Sequence, residues 1–326
     1  MILVTGGAGY IGSHVVLELK RSGRDVVVLD NLSRGHKELA LGEAFEEGDL
    51  QNYSFVDGVF KKHSIQAVLH FAASSLVGES MGDPEKYYYN NIFGTLNLLR
   101  AMRINKVDKI VFSSTAAVYG EPEKVPILET APLVPSNVYG ETKLFIENML
   151  QRYSQAYGLS SIAFRYFNAA GGDPQIRTGE DHTPETHLIP LVLDVALGKR
   201  DNITVFGRDY PTQDGTCIRD YIHVKDLATA HVLGLEKLLS GQRGKSSYNL
   251  GNGNGYSVLQ IIDSVRKVTK KKIPVVEGSR RAGDPARLVA SSEKAKSELG
   301  WKPEYADINE IVSTAWTWHQ KRFSRK

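Results

Sequence analysis

The sequence predicts an α/β fold: a doubly wound parallel sheet with helices on both faces, followed by a smaller second domain. Three observations carry this. Short apolar runs alternate with stretches of helical period through the first half of the chain, no turn between them has hairpin composition, and a glycine-rich, polar change of character follows near residue 170.

The strands come first. Ile2-Leu3-Val4, Val26-Val27-Val28-Leu29, Ala67-Val68-Leu69-His70-Phe71, Ile110-Val111-Phe112 and Ile162-Ala163-Phe164-Arg165-Tyr166 are continuous apolar runs, as parallel strands buried on both faces require. Ala44–Glu47 is a weaker strand. Ile11, Val15 and Leu19 recur every fourth residue, as do Ile146, Met149, Tyr153 and Tyr157, so each stretch presents one apolar helical face. After Asn168-Ala169-Ala170-Gly171-Gly172 come polar loops at 177–186 and 207–215, and later helices at Val224–Leu239 and Val258–Lys267. The division expected is 1–170 for one domain and 171–326 for the other, with helix Val224–Leu239 free to pack back onto the sheet.

Composition narrows the class. With 326 residues, 41% hydrophobic and 24% charged, the chain is an ordinary globular one. Forty basic residues against 37 acidic ones leave a net charge of +3, and the basic clusters Lys270-Lys271-Lys272 and Lys321-Arg322 are short, so nucleic acid is not an expected partner. One cysteine, Cys217, forbids an internal disulfide. The nine histidines lack a His-x-x-x-His helical pair, so no metal site is expected. Met1-Ile2-Leu3-Val4 leads straight into a glycine turn and no apolar run could span a bilayer, giving a cytoplasmic expectation with no membrane partner.

The first strand enters Gly6-Gly7-Ala8-Gly9-Tyr10-Ile11-Gly12 and then a helix. Glycines at 6, 9 and 12 allow a tight turn, close approach to a pyrophosphate and close helix–sheet packing, and the helix N-terminus offers free N–H groups to anionic oxygens. Asp30 ends the second strand, where a carboxylate accepts a ribose 2′-OH and repels a 2′-phosphate; NAD is favoured over NADP, although Arg34 nearby could hold a phosphate. Asp49 is equally an adenine contact or a loop cap. Tyr139-Gly140-Glu141-Thr142-Lys143 sets a phenol and an ammonium one helical turn apart. A free tyrosine has a pKa near ~10, and a neighbouring lysine is expected to bring it toward working range. Ser113, Ser114 and Thr115 end a strand just upstream. In open α/β sheets ligands bind beyond the carboxyl ends of strands, where the glycine turn, Asp30, Phe71–Ala73, Thr115 and Asn168 all fall.

These residues resemble the extended short-chain dehydrogenase/reductases over essentially the whole chain. The resemblance also rests on His70-Phe71-Ala72-Ala73, Val77-Gly78-Glu79-Ser80, Arg165-Tyr166-Phe167-Asn168, the run Tyr210 to Val224, and Arg280-Arg281-Ala282-Gly283-Asp284-Pro285. It implies a Rossmann domain joined to a UDP-sugar-binding domain, a homodimer, and reversible interconversion of UDP-glucose and UDP-galactose. Hydrogen would pass from sugar C4 to bound NAD, the 4-keto sugar would turn, and the hydrogen would return to its other face. Tyr139 would be the base, Thr115 its relay and Lys143 its tuner. Gly6, Gly9, Tyr10, Ile11, Gly12, Asp30, Asn31, Asp49, Leu50, Phe71, Ala72, Ala73, Asn90, Tyr139, Lys143 and Tyr166 would line the cofactor. Thr115, Asn168, Phe206, Arg219, Tyr221, Arg281 and Asp284 would hold the substrate, the arginines on its diphosphate.

Two departures stand out. Ser74-Ser75 replaces a bulky residue and a lysine found in some members, and Thr186-His187 stands where others present asparagines; neither role is carried over. Related dehydratases place an acid after the Thr, whereas Thr115 precedes Ala116-Ala117, which cannot protonate a leaving hydroxyl. A non-catalytic NAD-binding protein would leave the Tyr139–Lys143 pair unexplained. Use of N-acetylhexosamine nucleotides is the alternative substrate reading, which turns on whether Leu288 faces the sugar or is core packing.

Overall fold

The computed structural model describes residues 1–41, 44–280 and 284–324. Strands β1 (Ile2–Thr5), β2 (Val26–Asp30), β3 (Ala44–Glu47), β4 (Ala67–His70), β5 (Lys109–Thr115) and β6 (Ser160–Tyr166) form one parallel sheet with a seventh strand, Lys245–Leu250. Across the sheet the order is Lys245–Leu250, β6, β5, β4, β1, β2, β3. Ile2 pairs with Val26 on one side and with Ala67 on the other. Crossovers therefore leave β1 and its neighbours in opposite directions, and a cleft opens beyond their carboxyl ends.

Apolar runs make these strands because both faces are covered. On one face Val15, Val16 and Leu19 of helix Tyr10–Arg21 join Leu227, Ala228, Leu235 and Leu238 of helix Val224–Leu239 over Val4, Val28 and Leu69. On the other, Val56 and Phe60 of helix Tyr53–Lys62, Leu98 and Met102 of helix Gly94–Ile104, and Ile146 and Leu150 of helix Val138–Tyr157 cover Leu3, Val27, Val68 and Phe112. Burial of each such side chain is worth roughly 1.5–3 kcal/mol. His70, buried between layers, ties β4 to β1 through Thr5 Oγ1 (2.7 Å) and to Thr95 Oγ1 (2.8 Å).

Beyond residue 170 a second core forms from helices Leu188–Ala196, Val258–Thr269 and Ile308–Phe323 with strands Ile203–Phe206 and Val275–Gly278. Between these segments the chain returns to the first sheet, contributing helix Val224–Leu239 and strand Lys245–Leu250, with Tyr248 and Leu250 in the first core. The seventh strand escapes an apolar-run reading because its first half, Lys245-Ser246-Ser247, is polar and half-buried.

Helix Val138–Tyr157 is seated by charge as well as by apolar area. Asn137 caps it by accepting from Gly140 N–H (2.9 Å), and Gly158 ends it in the left-handed region at φ 72°. Within it, Glu147 is fully buried and clasps Arg165 of β6 at both oxygens (2.9 and 2.7 Å), with Ser114 Oγ (2.7 Å) and Lys245 Nζ (2.9 Å) as further donors. Burial alone would raise its pKa, but the Arg165 guanidinium and the other donors hold it at about 2 against an ordinary 4.5. That stabilisation is present above pH 4.5 and is lost as the pH falls toward 2. Glu147→Gln leaves Arg165 buried without a counter-charge and is expected to destabilise the protein by about 3–5 kcal/mol. Urea unfolding at pH 7 measures it. The difference between variant and wild type should shrink in acid.

Candidate active site

Three side chains from two elements meet beyond the sheet. Thr115 ends β5 and caps the short turn Ala116–Tyr119, its Oγ1 accepting from Ala117 N–H (3.1 Å). Its hydroxyl shares a hydrogen bond with the phenol of Tyr139, the second residue of helix Val138–Tyr157. Gly140 permits this approach: a Cβ there would lie 2.6 Å from the Ala117 carbonyl oxygen. The Tyr139 N–H, which has no partner inside the first turn, donates to buried Ser80 Oγ (3.2 Å). One turn on, Lys143 is 2% exposed; its Nζ donates to the Ser113 carbonyl (2.8 Å) and stands 5.8 Å from the centre of the Tyr139 ring. The Tyr166 hydroxyl meets Ser113 Oγ in a short hydrogen bond, so the ends of β5 and β6 close around the pair.

The electrostatics differ from the sequence expectation. Burial raises Tyr139 to about 12, opposed by the Thr115 hydrogen bond, and burial lowers Lys143 to about 7. In the protein alone, lysine does not bring tyrosine toward neutrality. Both groups pay the desolvation of a low-dielectric site and each favours its uncharged form. The chain brings a phenol, a hydroxyl and an ammonium together in a site where added charge acts at close range.

The glycine turn fits a dinucleotide phosphate. Gly6 has φ 72° and an added Cβ would lie 2.6 Å from Ala72 N; one at Gly12 would lie 2.2 Å from the Gly6 carbonyl oxygen. Helix Tyr10–Arg21 starts at Gly9 with no side-chain cap and no acidic residue in its first turn, so Tyr10, Ile11 and Gly12 leave an N-terminus open to an anion. Tyr10 ties the turn to the second lobe by donating to Gly171 O (2.7 Å). Asp30 is buried at the end of β2 and accepts from Ala8 N–H (3.0 Å) and Leu32 N–H (2.9 Å); burial outweighs these bonds and raises its pKa. Asn31 donates to Asp49 (2.7 Å), whose other oxygen accepts from Gln51 N–H (2.8 Å), so Asp49 does cap its loop. Leu50 is buried beside them. Phe71 and Ala72 hang from the Thr5 carbonyl by their N–H groups (2.9 and 3.1 Å), with Ala73 next in the chain. Asn90 sits in a π-helical turn, Tyr88–Phe93, donating to Ser74 Oγ (3.2 Å).

The expected substrate residues gather in part. Strand Asn168–Ala170 pairs with Tyr221–His223, register Asn168 to Tyr221. Arg219, largely buried, pairs with Asp284 in a short ion pair, and both charges act on the buried Tyr221 phenol. Two residues read as separate contacts are therefore each other's partners. Phe206 ends strand Ile203–Phe206 opposite Gly278, with its ring partly exposed. Arg281 lies outside the described residues. Leu288 packs with Val118, Tyr119, Ile127 and Phe167.

Sequence reasoning gave no role to Ser80, Gly140 or Glu147. A signal did exist for Glu147: Tyr139, Lys143 and Glu147 follow at i, i+4 and i+8. A Lys–Glu pair four apart normally reads as an exposed ion pair. Here both are buried: Lys143 donates to Ser113 of β5, while Glu147 accepts from Ser114 of β5 and Arg165 of β6.

Comparison with known proteins agrees with this geometry. The NAD dependent epimerase/dehydratase family matches residues 2–251. A UDP-glucose 4-epimerase of Halalkalibacterium halodurans is 56% identical over 321 residues, 98% of this chain and 96% of that one. A crystal structure of a UDP-glucose 4-epimerase superposes with a TM-score of 0.96 at 57% identity, covering 98% of each chain. That of the Bifidobacterium longum UDP-glucose 4-epimerase, in complex with NAD+ and UDP, does so at 0.94 and 38% identity, covering 99% of each.

Because an added Cβ at Gly12 would meet backbone atoms of Gly6 and Gly7, Gly12→Ala is expected to lower retained dinucleotide about tenfold or more, a loss of at least ~1.4 kcal/mol in binding. Nucleotide released on denaturation, assayed alongside the circular dichroism of the folded variant, reads it. Full retention would remove the turn from the site.

Proposed function

The chain belongs to the NAD dependent epimerase/dehydratase family, and on that premise we propose that it interconverts UDP-glucose and UDP-galactose with NAD as its cofactor. The observation that carries the reading is the gathering of buried Thr115 and Lys143 with the partly buried Tyr139 at the carboxyl end of the sheet, the end at which the glycine turn also lies. The names borne by the relatives favour the plain hexose pair over the N-acetylated one.

NAD, held by these residues, would supply an acceptor for hydride (one proton with two electrons) at sugar C4 and the donor that returns it to the other face. The chain does the rest. Tyr139 removes the 4-OH proton and later restores it. Thr115 shares that proton or holds the same oxygen, supported by its hydrogen bond to the phenol. Lys143 stabilises the phenolate as it forms; a Nζ group held near 7 carries charge when a negative neighbour appears and sheds it otherwise. Gly6, Gly9 and Gly12 with the N–H groups of Tyr10 and Ile11 cradle the pyrophosphate. Asp30 with Asn31 holds the adenosine ribose, and Asp49, Leu50, Phe71, Ala72, Ala73, Asn90 and Tyr166 line the remainder. Arg219 would hold the substrate diphosphate, a role the sequence also gives to Arg281, with Asp284, Tyr221 and Asn168 on the nucleotide and Phe206 beside the uracil.

In this reading residues 1–170 bind the cofactor and 171–326 the UDP-sugar, with 224–250 serving the first sheet. No helix among the described residues is long and apolar enough to cross a membrane. We place the reaction in the cytoplasm, since a chain with one cysteine needs no oxidising compartment. A homodimer is supported by exposed Tyr88, Tyr89, Phe93, Leu96, Phe145 and Tyr157 on helices of one sheet face.

Purified protein given UDP-galactose, with no NAD added, is expected to form UDP-glucose, and Tyr139→Phe to turn over 10²–10⁴-fold more slowly, on the order of a general base's worth. Normal turnover by that variant would exclude Tyr139 as the base. Arg219→Ala should weaken UDP binding by about tenfold or more, since a charge-assisted bond to phosphate is lost and Asp284 is left unpaired. Isothermal titration with UDP measures it; unchanged affinity would move the diphosphate elsewhere.

A further inference from the structure

The loop before helix Leu188–Ala196 takes no part in the proposed reaction, yet it collects two carboxylates and two imidazoles around one point. Glu180, His182, Glu185 and His187 each direct one ligand atom so that all lie within 4.8 Å of one another. His182 Nδ1 is 3.3 Å from Glu180 Oε1 and 3.7 Å from Glu185 Oε2. His187 Nδ1 is 2.7 Å from Glu180 Oε1 and 3.1 Å from Glu185 Oε1. A tetrahedral zinc site with bonds of about 2.0–2.2 Å has ligand atoms roughly 3.3–3.6 Å apart. The four separations scatter about that edge.

A further observation points to a ligand. Glu180 is only 7% exposed, and its Oε1, like His182 Nδ1, has no aligned hydrogen-bond partner despite these short distances. A buried carboxylate oxygen left unsatisfied is costly, and a cation is one of the few things that satisfies it.

The frame around the cluster is stiff. Glu185 Oε1 accepts from the N–H groups of Thr186 (2.7 Å) and His187 (2.8 Å), which orients the carboxylate. The Glu180 carbonyl accepts from Trp318 Nε1 (2.9 Å) of the C-terminal helix. On the other side, the His182 ring meets Tyr10 of the glycine turn edge-on at 6.1 Å.

We propose that Glu180, His182, Glu185 and His187 form a structural site for a zinc-class divalent cation, fastening this loop between the cofactor turn and the C-terminal helix. Two neutral imidazoles and two carboxylates neutralise a dication, and four protein ligands leave no open position for catalysis. Nitrogen with oxygen donors suits zinc better than calcium or magnesium.

The test uses the whole enzyme, treated with chelator, dialysed and titrated with zinc chloride. One zinc per chain is expected to bind at micromolar affinity or tighter. The melting temperature should rise by on the order of 5 °C at a hundredfold excess over Kd and return when chelator is added. In the His182→Ala/His187→Ala variant, affinity should fall at least a hundredfold and the thermal shift should vanish, while bound NAD is unchanged. Glu185→Gln, a milder change, should weaken binding and keep the fold if the double variant does not. Folded wild type that takes up no zinc and shows no shift would make the cluster an ion-paired latch and overturn the site. Equal affinity in wild type and a folded variant would overturn it as well.

Discussion

A buried carboxylate and guanidinium, Glu147 and Arg165, hold the reactive end of this molecule in place. Apolar packing alone lets a helix slide or rotate on a sheet at modest cost, because methyl groups interdigitate in several ways. A bidentate ion pair does not. Glu147 sits two turns from Tyr139, so fixing it to β6, with Ser114 of β5 beside it, fixes the register of the whole helix against the two strands whose ends build the site. Arg165 continues inward to Tyr119, whose hydroxyl donates to Asn249 of the seventh strand (2.7 Å). One network therefore spans the helix, the site turn and the sheet edge. Such pairs are weak evidence for net stability, but good evidence for a single arrangement.

That arrangement keeps the chain's own charges low where the chemistry happens. Tyr139 and Lys143 are both drawn toward neutrality by burial, and the nearest full ion pair, Glu147 with Arg165, is self-contained. A site prepared in this way responds strongly to whatever charge a ligand brings, because little water is present to screen it. The glycine turn shows the same economy in steric form: side-chain atoms are absent at Gly6 and Gly12, where neighbouring backbone needs the room.

Much of this was readable in the residues. The alternation from Ile2 to Tyr166 dictates a parallel sheet because continuous apolar runs have no other stable home, and the glycine turn is legible because its spacing serves one geometry. What escaped reading shares a physical cause: pairing across long sequence separations. Strand Lys245–Leu250 lacks an apolar run, so its place shows only in its register with β6. Arg219 and Asp284 look like two independent contacts until folding joins them across 65 positions. The proximity of Lys143 to Tyr139 is visible in sequence, while the burial that lowers the pKa of the lysine is not. Glu180, His182, Glu185 and His187 escape a helical spacing rule because they converge from a loop.

The return of the chain to its first sheet also bears on biosynthesis. Until residues 245–250 leave the ribosome, β6 presents an unpaired edge with its backbone groups free, and the apolar face of helix Val224–Leu239 has not yet covered Ile162 and Phe164. Unpaired edges next to open apolar surface are where nascent chains associate wrongly. The first six strands are thus complete in sequence long before the sheet is complete as an object. A ribosome stalled between residues 170 and 240 would hold a sheet whose last strand has not been made, a substrate for chaperones rather than a finished domain.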